Sequence, residues 1–450
     1  MDKYGVCPLE WRYGSEELRR ILSYENIIKK MIEVEVALLI GLANAGIIPK
    51  DIVSHVEKCV DKVSVERVIQ LEKELGHEVM ALTVALGEVL GEASKYVHLG
   101  ATSNDIIDTA WILVLRESLL CIKSKLRNII ERLIDLAKRY RDCIMIGRTH
   151  GQHALPITLG FKFANYVYEL SRSYERICDL EKRLIRGKIS GAVGTMAAWG
   201  DKGLDVEKYA LQTLNLEPHI ISTQVAPRDG FAELISVIAI LGSQLDRLAI
   251  EVRELMRPEI MEIAEGVSRK VGSSTMPHKQ NPITCEKISG LAKILRSLVI
   301  ASLENIPLWH ERDLTNSSSE RILIPHTLLI LDEILNSTLL VLENLVIYPE
   351  NMKKNLTLLK GINMAESILV RLVRKGVPRL VAYDHLKHLI NYARSTGKEF
   401  EDVLINDEFV RKYLSINEIK EAMRPENYLG SIDKLIDRAI NYAYKIMKYC

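Results

Sequence analysis

The chain has 450 residues, of which 48% are hydrophobic and 26% are charged, as in ordinary globular proteins. Its 60 basic and 59 acidic residues leave a formal net charge of +1, which argues against a protein that coats nucleic acid or a membrane surface. The seven cysteines are scattered and never spaced as CxxC, so the sequence predicts no disulfide framework or zinc knuckle and favours a cytoplasmic protein. No signal-peptide pattern stands at the N-terminus, and the apolar stretch 232–250 carries Glu233, Gln244, Asp246 and Arg247, which indicates a buried helix.

Long tracts without proline and rich in Leu, Ile, Ala, Glu, Lys and Arg predict long helices. Apolar residues recur at steps of three and four through five stretches, at 105–139, 160–186, 231–255, 284–304 and 320–346. No alternating apolar runs bounded by NG or DG turns are present, so β structure should be minor. The sequence therefore predicts an all-α, elongated protein with a central long-helix bundle. Long helices commonly find further burial between subunits, which makes an oligomer a reasonable hypothesis.

Two breaks in the helical pattern suggest domain boundaries. One is the polar stretch 98–105, where Ser103 or Asn104 could cap the following helix, and the other is YPEN at 348–351. We expect an N-terminal helical domain at 1–104, a central long-helix bundle at 105–347 and a C-terminal helical domain at 348–450.

The strongest polar segment is GSSTMPHKQNP at 272–282, where two prolines and a glycine predict a loop. Its hydroxyls (Ser273, Ser274), its cation (Lys279) and its amide (Asn281) are suited to binding a carboxylate and stabilising negative charge beside it. An ordinary surface loop is the alternative, and residue chemistry alone leaves the two about equal.

The segment GRTHGQHALP at 147–156 carries His150 and His153, three residues apart. In a helix both would lie on one face, as a zinc pair requires, but no third ligand at a known spacing accompanies them. A solvated histidine is favoured over a metal ligand, and a general acid is a third option because histidine titrates near neutrality.

Two further segments precede helical tracts. GHEVM at 76–80 holds a histidine that alone would be read as a surface or helix-start residue. In GATSNDIID at 100–108, Thr102 and Ser103 precede a helix N-terminus that could bind an anion, and plain helix capping is an equally good interpretation.

Together these segments resemble the fumarase/aspartase superfamily of elimination enzymes, whose signature loop SSxMPxKxNP is matched by 273–282 at every fixed position. Further motifs are similar to those of the adenylosuccinate lyase family within it. These motifs are WRYGSE at 11–16, HEV at 77–79, TSNDIIDT at 102–109, GRTHGQHALPITLG at 147–160, STQVAPRD at 222–229 and WHERDLTNSSSER at 309–321.

The resemblance implies a β-elimination that releases fumarate from adenylosuccinate and from the succinylated imidazole carboxamide ribotide SAICAR. It implies Ser273 as general base and His150 as general acid, with Glu286 beside His150 to raise its pKa. Lys279 and Asn281 would stabilise the carbanion.

The resemblance also implies that His77 positions the substrate and that Thr102, Ser103 and Thr149 hold its carboxylates. The other residues that it assigns to substrate binding are Arg12, Tyr13, Gln224, Asn281, Lys287, Arg312, Ser317 and Arg321. Of these, Arg312, Ser317 and Arg321 would bind the phosphate. Two positions depart from the family pattern, since Gly76 and Lys287 stand where arginine is frequent, and lysine lacks the bidentate fork of arginine. No metal and no organic cofactor is expected, and the implied partners are a purine nucleotide and three further copies of the chain, in a homotetramer with shared active sites.

Three alternatives remain open at this stage. The first is another eliminase of the superfamily, an argininosuccinate lyase or a cycloisomerase. The second is a structural relative that kept the fold without the activity, and the third is a helical scaffold without a site.

Overall fold

The structure is a computed structural model that describes residues 6–266, 276 and 278–449. The first helices are α1 (Pro8–Trp11), α2 (Glu16–Ile21), α3 (Tyr24–Asn44), α4 (Asp51–Cys59), α5 (Val65–Leu75) and α6 (Glu78–Leu90). Five long helices and a shorter one follow as α7 (Ser103–Arg139), α8 (Leu159–Leu184), α9 (Gly203–Thr213), α10 (Asp229–Leu255), α11 (Ile283–Leu303) and α12 (Thr315–Asn344). The C-terminal helices are α13 (Pro349–Thr357), α14 (Ala365–Arg374), α15 (Arg379–Thr396), α16 (Phe400–Ile405), α17 (Glu408–Tyr413), α18 (Ile416–Met423) and α19 (Ile432–Tyr449).

Short 3₁₀ turns and strands make up the remaining regular structure. The 3₁₀ turns are Val60–Lys62, Gly91–Tyr96, Ala197–Lys202, Ile362–Met364 and Pro425–Tyr428. The strands are β1 (Ile144–Thr149), β2 (Gln152–Thr158), β3 (Arg186–Gly187), β4 (Glu217–Pro218), β5 (Ile263–Ala264) and β6 (Val346–Ile347). They pair as β1–β2 and β5–β6, both antiparallel, and as β3–β4, which is parallel.

Helix dominates, as the sequence predicts, and the all-α fold is confirmed. Local chemistry explains several helix starts. Ser15 and Ser23 accept hydrogen bonds from backbone N–H groups in the first turns of α2 and α3, and Ser415 with Glu418 forms a capping box at α18. The long helix α12 continues through Pro325, a residue that sequence rules place outside helix interiors.

The chain forms two compact units, each built from separate stretches of sequence. Unit 1 contains the described residues of Met1–Arg127, Ser173–Asp246 and Lys287–Ser337. Unit 2 contains the described residues of Asn128–Arg172, Arg247–Glu286 and Thr338–Cys450. The domain boundaries near 104 and 347 stay a prediction.

Close packing in each unit depends on small or apolar residues. In unit 1, α3 packs against α9, and a Cβ added at Gly41 would lie 2.7 Å from the carbonyl oxygen of Val206. In unit 2, α14 to α18 enclose a core whose centre includes the fully buried Ile368, Leu372 and Phe400.

By length and composition α12 could cross a bilayer, but 67% of its most apolar 18-residue window is buried inside the protein, as in a core helix.

Cys178 is disulfide-bonded, which the scattered spacing of the cysteines did not predict. The free cysteines among the described residues are Cys7, Cys59, Cys121, Cys143 and Cys285.

Candidate active site

Unit 1 contains a cavity of about 270 Å³ beside the start of α12. Two of its lining residues are arginines, Arg312 and Arg321, and Ser317 lies between them in sequence. Apolar side chains of α3, α7 and α10 form part of the wall, and the carboxylates and amides that also line the cavity are Glu78, Asn104, Asp108, Asn316 and Glu320. The three residues that the resemblance assigns to a phosphate therefore line one cavity.

Each arginine of the cavity already has a polar neighbour. Arg312 Nη1 donates to Gln224 Oε1 at 3.2 Å, while its Nε makes no hydrogen bond within the described residues. Burial lowers the pKa of Arg312. Arg321 Nη2 lies 2.5 Å from Glu78 Oε1, and Glu78 follows His77 directly. The segments at 77–79 and 309–321 thus line this cavity, and the segment at 222–229 contacts it through Gln224 and Arg312.

A buried ion pair fixes the segment that carries Thr102 and Ser103. Asp105 and Lys188 are fully buried and their charged atoms lie 2.6 Å apart. Asp105 Oδ2 also accepts a hydrogen bond from the backbone N–H of Thr102 at 2.8 Å. Helix α7 begins at Ser103, so Ser103 and Asn104 are already inside the helix and Thr102 is the residue that precedes it. The expectation that Ser103 or Asn104 caps this helix is therefore wrong.

The end of the same segment is tied to the segment of Gln224 by a second ion pair. Arg228 Nη2 lies 2.7 Å from Asp108 Oδ2, and both side chains are almost completely buried. The same carboxylate oxygen accepts from the backbone N–H of Ala226 at 2.8 Å. Sequence reasoning quoted both residues within motifs but gave neither a role, because a charged residue in a motif carries no sign of its partner.

The N-terminal segment of Arg12 and Tyr13 lies against α12. The backbone N–H of Gly14 donates to Glu333 Oε2 at 3.1 Å. Arg12 itself is exposed, and its guanidinium lies 5.8 Å from the ring centre of Tyr13. Lys287, a substrate-binding candidate, forms an ion pair with the same carboxylate, since its Nζ lies 2.5 Å from Glu333 Oε1.

Backbone geometry explains the departure at position 76. Gly76 ends α5 in the left-handed conformation, with φ of 67°, where an arginine would be strained. His77 follows as the N-cap of α6, and its Nδ1 accepts from the N–H of Met80 at 3.2 Å. Its side chain is exposed, so the other ring nitrogen is available to a ligand.

In unit 2, His150 lies at the tip of the β1–β2 hairpin. Thr149 pairs with Gln152, and the two residues between them have positive φ, 53° for His150 and 71° for Gly151. Two central residues with positive φ are typical of a type I′ hairpin turn. His150 and His153 are therefore not on one helix face, as the zinc hypothesis required. Within the described residues no group of three His, Cys, Asp or Glu side chains has the arrangement of a metal site.

The base of the hairpin is held by a bidentate ion pair. Both terminal nitrogens of Arg148 lie 2.8 Å from the carboxylate oxygens of Glu262, which is fully buried. Glu262 Oε1 also accepts from Asn355 Nδ2 at 2.9 Å. Burial, with the nearby charge of Arg148, lowers the pKa of His153 across the hairpin. The position of His150 thus depends on charges that the motif does not reveal.

The signature loop is only partly described. Ser273 and Ser274 lie outside the described residues. Lys279 is exposed and Asn281 half-buried just before α11, and Glu286 is exposed in the first turn of that helix. The buried carboxylate of Glu265 holds the helix start by accepting backbone hydrogen bonds from Thr284 and Cys285, at 3.0 and 2.9 Å.

The candidates fall into two groups by unit. Unit 1 holds Arg12, Tyr13, His77, Thr102, Ser103, Gln224, Lys287, Arg312, Ser317 and Arg321, and unit 2 holds Thr149, His150, Lys279, Asn281 and Glu286. No hydrogen bond or ion pair joins His150 to Glu286 within the described residues, so their implied contact stays a prediction.

The chain is similar to known proteins over almost its whole length. A family model described as Lyase matches residues 12–295, and one described as Adenylosuccinate lyase C-terminus matches residues 361–439. A protein named adenylosuccinate lyase from Pyrococcus abyssi is 45% identical over 441 residues, which covers 97% of this chain and 98% of the relative. One of the same name from Methanothermobacter thermautotrophicus is 45% identical over 446 residues, covering 98% and 99%.

Solved structures show the same fold. The crystal structure of a fumarate lyase from Mesorhizobium sp. BNC1 superposes with a TM-score of 0.88 at 30% identity, covering 95% of this chain and 98% of that chain. A 3-carboxy-cis,cis-muconate lactonizing enzyme from Pseudomonas putida gives a TM-score of 0.86 at 28% identity, covering 97% and 98%.

Replacement of Glu262 tests whether the buried ion pair holds the hairpin of His150. In Glu262→Gln the cation of Arg148 loses its charge partner, so we expect the free energy of unfolding to fall by ~3 kcal/mol, measured by denaturant unfolding. The control is Glu259→Gln, which removes the partner of Arg257 in an exposed ion pair of the same unit and should change stability little. Equal stability of the two variants would contradict this role of Glu262.

Proposed function

Because this chain belongs to the adenylosuccinate lyase family, we propose that it cleaves adenylosuccinate into AMP and fumarate by β-elimination. The observation that carries the proposal is the unit 1 cavity, where Arg312, Ser317 and Arg321 converge and Gln224 contacts Arg312. A pair of guanidinium groups with a hydroxyl is well suited to a phosphate monoester. Arg321 would exchange or share its contact with Glu78 when the nucleotide phosphate binds.

The chemistry requires removal of a weakly acidic proton from the carbon beside a carboxylate. We propose Ser273 as the base that takes this proton, following the resemblance. The electron pair left on carbon is delocalised into the carboxylate, and Lys279 and Asn281 would stabilise that dianion. The same electrons then form the C=C bond of fumarate as the C–N bond breaks.

The leaving nitrogen must receive a proton, because an amine departs poorly as an anion. We assign this step to His150, which the hairpin turn exposes at its tip. Thr102, Ser103 and Thr149 would hold the carboxylates of the succinyl group, and His77 would orient it. These roles rest on motif positions.

A second substrate has the same reacting parts. SAICAR carries a succinylated nitrogen and a ribose phosphate, so we propose that the chain also converts it to AICAR and fumarate. The cavity residues that would bind the phosphate are the same in both reactions.

Fumarate release tests the proposal directly. We expect wild-type protein to convert adenylosuccinate to equimolar AMP and fumarate, followed by chromatography. Ser273→Ala and His150→Ala should lower kcat at least ~100-fold, since each removes a proton-transfer group. Matched controls are Ser395→Ala and His388→Ala, exposed residues of α15 outside the candidate site.

The outcome also separates the alternatives. A folded wild-type protein without activity on either purine substrate would contradict the proposal and direct the assay to argininosuccinate. Activity that is indifferent to Ser273→Ala would contradict the assigned base. The shared fold of a lactonizing enzyme does not favour a cycloisomerase, because the C-terminal family match and the full-length relatives point to the purine lyases.

We propose that the active form is a homotetramer with active sites shared between subunits. Long helices of unit 1 present large apolar side chains to solvent, among them Ile300, which is 70% exposed, and Ile294, which is 47% exposed. Apolar side chains exposed along one helix are typical of a surface that another copy covers. The lack of a described contact between His150 and Glu286 also fits a site that a single chain does not complete.

Sedimentation equilibrium should therefore give a mass of four chains, and mixing should restore activity. We expect His150→Ala and Arg312→Ala proteins, each inactive alone, to regain part of the activity after joint unfolding and refolding. Intact unit 2 and unit 1 residues then meet at some of the shared sites. An active monomer, or no recovery in a mixture shown to contain hybrids, would contradict shared sites.

A cytoplasmic location is the remaining part of the proposal. It is supported by the scattered cysteines, five of which carry free thiols. The bonded Cys178 is unusual for a reducing compartment, although intracellular proteins of hyperthermophiles are an exception to that rule.

A further inference from the structure

Arg228 uses every nitrogen of its guanidinium group for hydrogen bonds. Nε donates to the carbonyl oxygen of Ala226 at 2.9 Å, Nη1 to Glu320 Oε2 at 3.0 Å and Nη2 to Asp108 Oδ2 at 2.7 Å. Asp108 lies 120 residues before Arg228 in sequence, and Glu320 lies 92 residues after it. One side chain therefore connects three distant parts of the chain.

The three connected parts are motif segments of the proposed active site. They are 102–109, 222–229 and 309–321, which supply most of the substrate-binding candidates of unit 1. Arg228 itself is not among the described residues that line the cavity. Arg228 can therefore influence a bound nucleotide only through the residues to which it is hydrogen-bonded.

Asp108 and Glu320 line the cavity themselves, and each accepts a hydrogen bond from an asparagine that lines it too. Asn104 Nδ2 donates to Asp108 Oδ1 at 3.3 Å, and Asn316 Nδ2 donates to Glu320 Oε2 at 3.0 Å. An ionised carboxylate only accepts hydrogen bonds, so each amide must turn its nitrogen toward it. Both asparagines line the cavity, and their amide oxygens are buried without a hydrogen-bond partner among the described residues. The carboxylates thus fix the orientation of each amide in the cavity wall.

The charge balance makes Arg228 essential to this arrangement. Arg228 is the cation paired with both carboxylates, and Arg312 interacts with the same two charges without an ion pair. The exposed fraction of the side chain is 2% for Arg228, 3% for Asp108 and 13% for Glu320. Burial raises the pKa of Glu320, the charge of Arg228 opposes that rise, and the charge of Asp108 adds to it. Without the cation, two buried carboxylates would repel each other and their segments would move apart.

We propose that Arg228 is a positioning residue for nucleotide binding, acting through Asp108 and Glu320 on the asparagines and on the contact between Gln224 and Arg312. The inference rests on the proposed function, because the nucleotide is the ligand that the cavity is expected to take. A lysine at this position would keep the charge but not the planar fork that reaches both carboxylates. We therefore expect Arg228→Lys to disturb the geometry of the cavity more than the stability of the fold.

The test compares wild type, Arg228→Lys and Arg228→Met for activity and for AMP binding. We expect KM for adenylosuccinate and Kd for AMP, measured by calorimetry, to rise about tenfold or more in Arg228→Met and less in Arg228→Lys, with a smaller fall in kcat. Lys123→Met is the control, since it removes a partly buried ion pair with Glu181 in the same unit and should leave KM unchanged.

Folding and function are separated within the same experiment. Circular dichroism identifies any unfolded variant, and if Arg228→Met does not fold, Arg228→Lys carries the test. Folded variants with wild-type KM and AMP affinity would overturn the proposal and leave Arg228 a structural ion pair. Wild-type protein that releases no fumarate would instead overturn the proposed function, and the AMP titrations would still decide the role of Arg228.

Discussion

The ion pair between Arg228 and Asp108 is the contact on which the unit 1 cavity depends. It joins a helix start to a loop that begins far along the chain, in surroundings where neither charge is exposed. Asp105 with Lys188 acts in the same way one helical turn earlier. A helical protein can place polar motif segments in its interior only if such pairs satisfy their charges. The two pairs therefore explain how the segment at 102–109 stays ordered beside a cavity that must remain open.

In unit 2 the buried charges that hold the candidate segments in place are Glu262 and Glu265. Glu262 holds the hairpin that carries His150 through Arg148, and Glu265 holds the start of α11, which carries Glu286. Neither glutamate belongs to a recognised motif. Both lie close together in sequence, just before the signature loop, so a single short segment positions the two elements on which the proposed proton transfer to nitrogen relies.

Much of this fold follows from apolar periodicity. The stripe at 231–255 corresponds to α10 at Asp229–Leu255, and that at 284–304 corresponds to α11 at Ile283–Leu303, because each helix buries one continuous face. Periodicity did not reveal the β1–β2 hairpin, whose turn places His150 at positive φ without an NG or DG signal. The stripe at 320–346 also predicted α12 across Pro325, where tertiary packing outweighs a local cost. Motifs identified Arg312 and Arg321, whereas Lys188 and Glu262 resemble surface charges until the fold supplies their partners.

The most direct measurement of the central claim, that the unit 1 cavity takes the nucleotide, is a crystal structure of the protein with bound AMP. We expect the phosphate within hydrogen-bond distance of Arg312, Ser317 and Arg321, with Asp108 in the cavity wall still paired with Arg228. AMP bound elsewhere, with Arg312 on Gln224 and Arg321 on Glu78 and no ligand in the cavity, would contradict the claim.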